Sequence, residues 1–121
     1  MLEKENYLSL ATFRRDGRAV ATPIWFAAEG GTLVAFTAGD SGKVKRVRNS
    51  GRARIAACDV RGRVHGPWHE ARAELVSDSA AVHRMHAALR AKYGSLMWLA
   101  DVGARLTGRY AKRAYLRITP T

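Results

Sequence analysis

This sequence of 121 residues has almost no cysteine, little proline and no long apolar run. Its single cysteine, Cys58, excludes an intrachain disulfide, and the cysteine content gives no indication of export. No apolar stretch approaches the roughly 20 residues of a membrane-spanning helix. The N-terminal MLEKENYLSL carries acidic residues without a long apolar core, unlike a signal peptide. We therefore expect one cytoplasmic domain over residues 1–121, with no membrane partner.

Acidic residues are also scarce, and the excess of basic residues is confined to two patches. The chain holds 21 Lys and Arg against 10 Asp and Glu, a formal net charge of +11. Residues 41–64 carry eight of the basic residues and only one acidic residue, and residues 105–121 carry five and none. The remainder of the chain is nearly balanced. The patches indicate a surface for an anionic ligand, with a solvated basic surface as the alternative.

Apolar alternation and turn residues predict a mainly β (α+β) fold. The predicted strands are 7–14, 19–27, 32–37, 54–60, 68–76 and 114–119. Asp-Gly at 16–17 favours a hairpin between the first two strands, and Pro23 favours an edge or bulge in the second. Helices are predicted after Ser41 and after Ser77-Asp78, with a further turn or two within 96–106. Six strands with a helix between the third and fourth predict a small antiparallel β-barrel with flanking helices.

The stretch GDSGKVKRVRNSGR at 39–52 is the clearest candidate for anion binding. It is not a P-loop, because Thr37 and Val44 replace the glycine and the hydroxyl residue of that motif. A helix that starts near Ser41 would still offer unpaired N–H groups and the positive end of its dipole. Lys43 in the first turn opposes that dipole, and a bound anion explains its presence better than helix stability does.

The other candidate groups give weaker indications. The histidine pairs, 65 with 69 and 83 with 86, lack the tight grouping of a zinc site, and no carboxylate or thiol near the second pair completes a ligand set in the sequence. Cys58 lies in an apolar strand and is expected to be a buried, inert thiol. No nucleophile–base set or carboxylate pair stands out, so the catalytic residues are unknown and a bound cofactor would supply the chemistry. Trp25 and Trp68 are either core residues or walls for a planar ligand or a dimer.

The segments LATFRRDGRAVATPIWFA and FTAGDSGKVKRVRNSGRARIAACDVRGRVHGPWHEARAELV resemble the pyridoxamine 5′-phosphate oxidase-like split-barrel superfamily. Within that superfamily the chain resembles the F420-dependent flavin/deazaflavin oxidoreductase branch, from about residue 7 to residue 120. TPIWF followed by SGKVKRVRNSGR and then CDxRGxxxGPW is the specific combination. The resemblance implies a six-stranded antiparallel split barrel of the FMN-binding type that dimerises and binds its cofactor in clefts between subunits.

The resemblance also implies the binding residues. The cofactor phosphate would lie against Ser41–Arg46, with Lys43 as the main cation and Lys45 or Arg46 assisting. The ring would follow the main chain of Thr22, Pro23, Ile24 and Trp25, with Thr37 beside it and the Pro67-Trp68 region of the other subunit as a wall. The acidic tail of coenzyme F420 would account for further arginines. The candidates for that contact are Arg48, Arg52, Arg61 and Arg63.

The expected function is an F420-dependent oxidoreductase that transfers a hydride between the reduced cofactor and an unsaturated small molecule. An FMN-binding oxidase or reductase is the first alternative, although TPIW replaces the arginine-rich phosphate motif of the FMN-using oxidases. A cofactor carrier without turnover is also compatible. A nucleic-acid binder would fit the charge of +11, but the sequence lacks the stacking aromatics typical of such surfaces. The sequence does not identify the substrate.

Overall fold

The computed structural model describes residues 4–121, and it is built from seven strands and three α-helices. The first three residues, part of the N-terminal stretch that was compared with signal peptides, lie outside the described residues. The strands are β1 (Tyr7–Phe13), β2 (Ala19–Ile24), β3 (Phe26–Glu29), β4 (Thr32–Ala38), β5 (Arg52–Cys58), β6 (His69–Val76) and β7 (Arg113–Pro120). The helices are α1 (Gly42–Asn49), α2 (Ser79–Tyr93), α3 (Ser95–Leu106) and a short 3₁₀ helix at Tyr110–Lys112.

All seven strands belong to one antiparallel sheet in the order β2-β1-β5-β6-β7-β4-β3. The two end strands of the sheet, β2 and β3, are consecutive in the chain. The sheet therefore curls and brings its two ends together. The mainly β architecture with flanking helices confirms the fold class predicted from the sequence. The predicted number of six strands is wrong, because the predicted strand 19–27 is two strands.

The strand divides at Trp25, where the chain changes its pairing partner. Ile24 pairs with Leu8 on β1, whereas Phe26 pairs with Ala35 on β4. The hydroxyl of Tyr93 accepts a hydrogen bond from the Phe26 amide at 2.9 Å and lies 3.0 Å from the Phe26 carbonyl oxygen. Main-chain groups that a continuous ladder would pair are therefore satisfied by a side chain at the end of α2.

Two apolar clusters hold the sheet and the helices together. The first lies inside the curl of the sheet and includes Leu8, Leu10, Phe26, Ile55 and Leu116, all fully buried. The second joins α2 and α3 to the outer side of the sheet. Its buried members are Ala27, Val34, Met85, Leu89, Met97 and Tyr115. Burial of this apolar surface is the main stabilising contribution to the fold.

The helices begin and end where local chemistry favours it. Asp78 caps α2, since its carboxylate accepts a hydrogen bond from the Ala81 amide at 2.9 Å, as the sequence predicted. Gly94, at φ +56°, ends α2 and starts α3. α3 is a full helix of 12 residues, longer than the turn or two expected. No helix within residues 4–121 is long and apolar enough to cross a membrane.

Candidate cofactor site

The apolar face of α1 packs against the sheet, whereas the start of the helix is partly exposed to solvent. Val44 and Val47 are 1% and 6% exposed and fix the helix against the sheet. Ser41 precedes the helix in an extended conformation, but its side chain makes no capping hydrogen bond. The Ser41 hydroxyl oxygen is buried and has no hydrogen-bond partner within residues 4–121. A buried hydroxyl without a partner is costly, so it fits a position that a ligand satisfies.

Lys43 and Arg46 lie on α1, and Arg14, which follows β1, is close enough for its charge to act on Arg46. We call Arg14, Lys43 and Arg46 the α1 cluster. Burial, assisted by the charge of Arg46, lowers the pKa of Lys43. Burial and the charge of Arg14 likewise lower the pKa of Arg46. Arg46 donates a 2.6 Å hydrogen bond from Nε to the hydroxyl of Thr12, which is fully buried. Within residues 4–121, none of the three lies within 4 Å of a carboxylate oxygen.

Glycine at position 42 allows the side chain of Arg46 to lie beside the first turn of α1. A Cβ at this position would lie only 2.7 Å from a terminal nitrogen of Arg46, so glycine leaves room for the guanidinium beside the helix start. The first N–H groups of an α-helix have no intrahelical acceptor, and the helix dipole adds positive potential there. The α1 cluster, the Ser41 hydroxyl and these N–H groups together fit a phosphate.

Strand β2, which is expected to contact the cofactor ring, contains a second buried hydroxyl without a partner within the described residues. The Thr22 hydroxyl oxygen on β2 is buried and makes no hydrogen bond within the described residues. Ile24 is buried and Pro23 is exposed. Pro23 lies close to the β5–β6 connection, since a Cβ on Gly62 would be 3.4 Å from the proline ring. The contact of the ring with the main chain of β2 stays a prediction.

The indole of Trp25 packs into the protein. It stacks on Tyr93 with ring centroids 4.6 Å apart and planes inclined by 15°, and it meets Phe36 edge-on at 6.4 Å. Of the alternatives that the sequence left open for Trp25, this contact favours the core residue. Thr37, near the end of β4, lines a pocket of about 500 Å³ together with Arg109 and Lys112.

Pro67 and Trp68 lie on the β5–β6 connection and face solvent. Trp68 is 44% exposed and stacks on no other aromatic ring within residues 4–121. Val60 and Val64 of the same connection are 61% and 38% exposed. An exposed apolar group of this kind is typical of a surface that contacts a partner.

The arginines considered for an acidic tail differ in their surroundings. Arg52 already lies 3.9 Å from a Glu70 carboxylate oxygen and over the ring of Phe13. Arg48 on α1 and the pair at 61 and 63 are exposed and make no ion pair within residues 4–121. Asp59 fixes the turn that carries this pair by accepting hydrogen bonds from the two main-chain amides, both at 2.9 Å. Arg52 is therefore the candidate whose charge is most fully compensated.

A second charged group, His86 with Asp101 and Arg113, is called the α3 cluster. His86 Nε2 lies 2.8 Å from one Asp101 oxygen, and Arg113 donates to the other at 2.7 Å. The expectation that no carboxylate lies near the second histidine pair is wrong, because α3 folds back beside α2. Burial raises the pKa of Asp101, but the hydrogen bonds from Arg113 and His86 outweigh it and hold that pKa below the usual range.

The remaining candidate residues, His65 and Cys58, have structural surroundings and do not form a reactive site. His65 pairs with Glu5 at 2.6 Å. Cys58 is buried, as predicted, and burial raises the pKa of its thiol, which disfavours the reactive thiolate. Residues 4–121 contain no group of three or more His, Cys, Asp or Glu side chains placed to hold a metal ion.

Sequence reasoning missed two residues near the end of β1: Arg14 of the α1 cluster and Thr12, which accepts a hydrogen bond from Arg46. Arg14 and Thr12 lie almost 30 residues before α1, in a segment that showed only strand alternation. The arginine pair RR followed by an Asp-Gly turn was the only available signal, and it is common at hairpins. The contact between Thr12 and Arg46 depends on how α1 packs across β1, which no local pattern encodes.

Comparison with known proteins decides the family. The sequence profile of the family described as pyridoxamine 5′-phosphate oxidase matches residues 1–121. The chain belongs to this family. Among curated proteins none matches the sequence.

Solved structures with this family fold are similar over almost the whole chain. HutZ, a heme storage protein from Vibrio cholerae, has a TM-score of 0.74 at 14% identity, covering 99% of this chain and 84% of its own. An F420 reductase has a TM-score of 0.63 at 20% identity, covering 99% and 90%. An FAD-binding protein from Mesorhizobium loti has a TM-score of 0.65 at 20% identity, covering 99% and 84%. At these identities the likeness establishes the split-barrel fold alone.

Proposed function

We propose that this protein is an F420-dependent oxidoreductase that binds the cofactor phosphate at the start of α1. The observation that carries the proposal is the α1 cluster, three cations without a carboxylate partner within the described residues, beside the buried, unpartnered Ser41 hydroxyl. Split-barrel neighbours described as an F420 reductase and as an FAD-binding protein support a cofactor of the flavin type. The choice of deazaflavin rests on the resemblance of TPIWF and SGKVKRVRNSGR to the F420-dependent branch. Bound F420 would supply the hydride chemistry.

The residues of the chain would then bind and orient the cofactor. Lys43 and Arg46 neutralise the phosphate, and the Ser41 hydroxyl donates a hydrogen bond to one of its oxygens. Lys45, exposed on the same helix, adds positive potential. The main chain of β2 would hold the ring, and the Thr22 hydroxyl, which has no partner within the described residues, would be available to hydrogen-bond to it. Fixing the ring and the substrate in one geometry is the main catalytic contribution of the protein.

The proposal includes a homodimer with the site at the subunit boundary. The exposed apolar residues of the β5–β6 connection, including Trp68, support an interface there. In this arrangement the Pro67-Trp68 region of the partner subunit would cover the ring. Replacing Trp68 by glutamate is expected to shift the protein towards monomer in sedimentation equilibrium and to weaken cofactor binding.

The decisive experiment compares F420 and FMN binding in the wild-type protein and in Lys43→Ala, by calorimetric titration at fixed ionic strength. We expect F420 to bind with micromolar or better affinity and FMN much more weakly. Loss of a charge-assisted contact to phosphate should weaken F420 binding about tenfold or more. Arg84→Ala is the matched control, because it removes one exposed cation on α2, away from the site.

Each outcome separates the alternatives. Equal losses in Lys43→Ala and Arg84→Ala would show a non-specific charge effect and refute the phosphate assignment. Tight FMN binding that depends on Lys43 would keep the site and change the cofactor to a flavin, as in the FMN alternative. F420 binding without reduction of any enone, quinone or tetrapyrrole tested would favour a carrier over an enzyme.

A further inference from the structure

A groove of about 870 Å³ lies between α1, the start of α2 and the 3₁₀ helix that precedes β7. Its volume falls within the range of roughly 300–1,000 Å³ common for small-molecule sites. None of the residues proposed to bind the cofactor phosphate or ring lines it. Two residues of α1 line the groove, Val44 and Arg48, and both follow the proposed phosphate-binding turn in the chain. The groove shares only Arg48 with the arginines considered for the acidic tail of F420, so the proposed function leaves the rest of its lining unused.

The polar wall of the groove is basic. Its charged or ionisable basic side chains are Arg48, His83, His86 and Arg113, and no aspartate or glutamate lines it. Asp78 lies between two lining serines, but its carboxylate accepts a hydrogen bond from the Ala81 amide as the cap of α2. The two lining serines, Ser77 and Ser79, also place the positive end of α2 at the groove. Asp101 pairs with both His86 and Arg113. Arg48 and His83 are therefore the basic groups left for a ligand, and they favour an anionic group.

The α3 cluster holds one side of the groove rigid. The side chains of Asp101 and Arg113 are 10% and 6% exposed, and they meet at 2.7 Å. Arg113 is further fixed over the rings of Phe36 and Tyr110, at 4.2 and 4.8 Å. Because Asp101 occupies Nε2 of His86, the ring of this histidine is oriented and Nδ1 is its remaining polar atom. This wall is formed before a ligand arrives, which reduces the entropic cost of binding.

The floor of the groove is apolar. Leu75, Val76, Val82 and Tyr115 contribute to it, together with Val44. Among these, Leu75, Val76 and Val82 are only partly buried and retain surface that a ligand could cover. A basic wall over an apolar floor matches a molecule with an apolar body and one acidic group.

We propose that this groove binds a small aromatic carboxylate, with its ring on Leu75 and Val82 and its carboxylate towards Arg48 and His83. Arg48 is the main determinant, since it carries a permanent charge and makes no ion pair within residues 4–121. The histidines supply hydrogen-bonding groups on the α2 side.

The test uses 1-naphthoate as the probe and its neutral analogue 1-naphthalenemethanol, in the full chain. We expect saturable calorimetric binding of naphthoate, and chemical-shift changes in two-dimensional amide spectra confined to the segments that line the groove. They include α1 from Val44 onward, the end of β6, the start of α2 and residues 110–115. The neutral analogue and the Arg48→Gln variant should each lose about tenfold in affinity, equivalent to about 1.4 kcal/mol. His83→Gln should lose less.

Arg84→Gln is the matched control, because it is the next residue of α2 after His83 and does not line the groove. It should change the affinity by less than about twofold. Lys43→Ala should bind naphthoate like the wild type, so failure of the cofactor assignment would leave this site intact. Equal affinity of the neutral analogue, equal losses in Arg48→Gln and Arg84→Gln, shifts confined to residues 41–43, or no binding would each overturn the proposal.

Discussion

The two charged clusters of this protein both contain arginine, but only the α3 cluster also contains a carboxylate. In the α3 cluster Arg113 is almost completely buried, but Asp101 compensates its charge and a histidine completes the set. In the α1 cluster three cations approach one another, and burial lowers the pKa of two of them. The compensated charges of the α3 cluster contribute to the stability of the fold. The uncompensated charges of the α1 cluster leave a positive potential that favours binding of an anionic ligand.

Removing the carboxylate from the compensated cluster should have the largest effect. Asp101→Ala leaves the buried guanidinium of Arg113 without a counter-charge, and we expect the free energy of unfolding to fall by about 3–5 kcal/mol. Urea denaturation followed by circular dichroism measures the loss. Asp16→Ala is the control, because Asp16 forms a comparable 2.8 Å pair with Arg18 at the surface, and it should lose less than about 1 kcal/mol. Similar losses in both variants would contradict the distinction between the clusters.

The same cluster should make the fold sensitive to acid. The pKa of Asp101 is lower in the folded than in the unfolded chain. Its ionised form therefore stabilises the fold above the usual carboxyl range, and this contribution is lost as the pH falls towards the lowered folded pKa. The difference in free energy of unfolding between wild type and Asp101→Asn should narrow between about pH 5 and about pH 2. A difference that stays constant over this interval would refute the assignment.

The uncompensated cluster should respond in the opposite direction and more weakly. The lowered pKa of Lys43 shows that the fold disfavours its charge. Lys43→Gln should therefore raise the free energy of unfolding by a few tenths to about 1 kcal/mol in the absence of ligand. Binding sites often contain such residues, which lower stability but are needed to hold the ligand. Thermal unfolding in low-phosphate buffer measures the change. Lys45→Gln, an exposed neighbour on the same helix, should change stability little; a loss of stability in Lys43→Gln would contradict the prediction.

Local sequence signals predicted much of the fold because they depend on near neighbours. The alternation in β6, the aspartate cap of α2 and the Asp-Gly turn are all read within a few residues. The division of the strand at Trp25 was not predicted, because it depends on Tyr93, almost 70 residues away in the chain. Pro23 marked an irregular strand, but the change of partner from β1 to β4 is a property of the curled sheet.

For the candidate site, the sequence identified the helix start and missed its surroundings. Ser41 and Lys43 stood out because a lysine in the first turn of a helix is unfavourable without an anion. The resemblance supplied the β2 segment, and the structure adds the unpartnered Thr22 hydroxyl. Arg14 and Thr12 could not be linked to α1 by spacing, since tertiary packing alone brings β1 beneath the helix. The pairing of His86 with Asp101 was missed for the same reason, across the turn at Gly94.

The position of β7 has a consequence for how this chain acquires its shape during synthesis. β7 pairs with β4 on one side and β6 on the other, yet it is the last strand in the sequence. Until it emerges, both neighbours have unpaired edges, although the β1–β2 and β3–β4 hairpins can already have formed. Such edges are templates for pairing with other chains. We therefore expect ribosome-bound chains that lack residues 113–120 to depend on chaperones far more than the finished protein does.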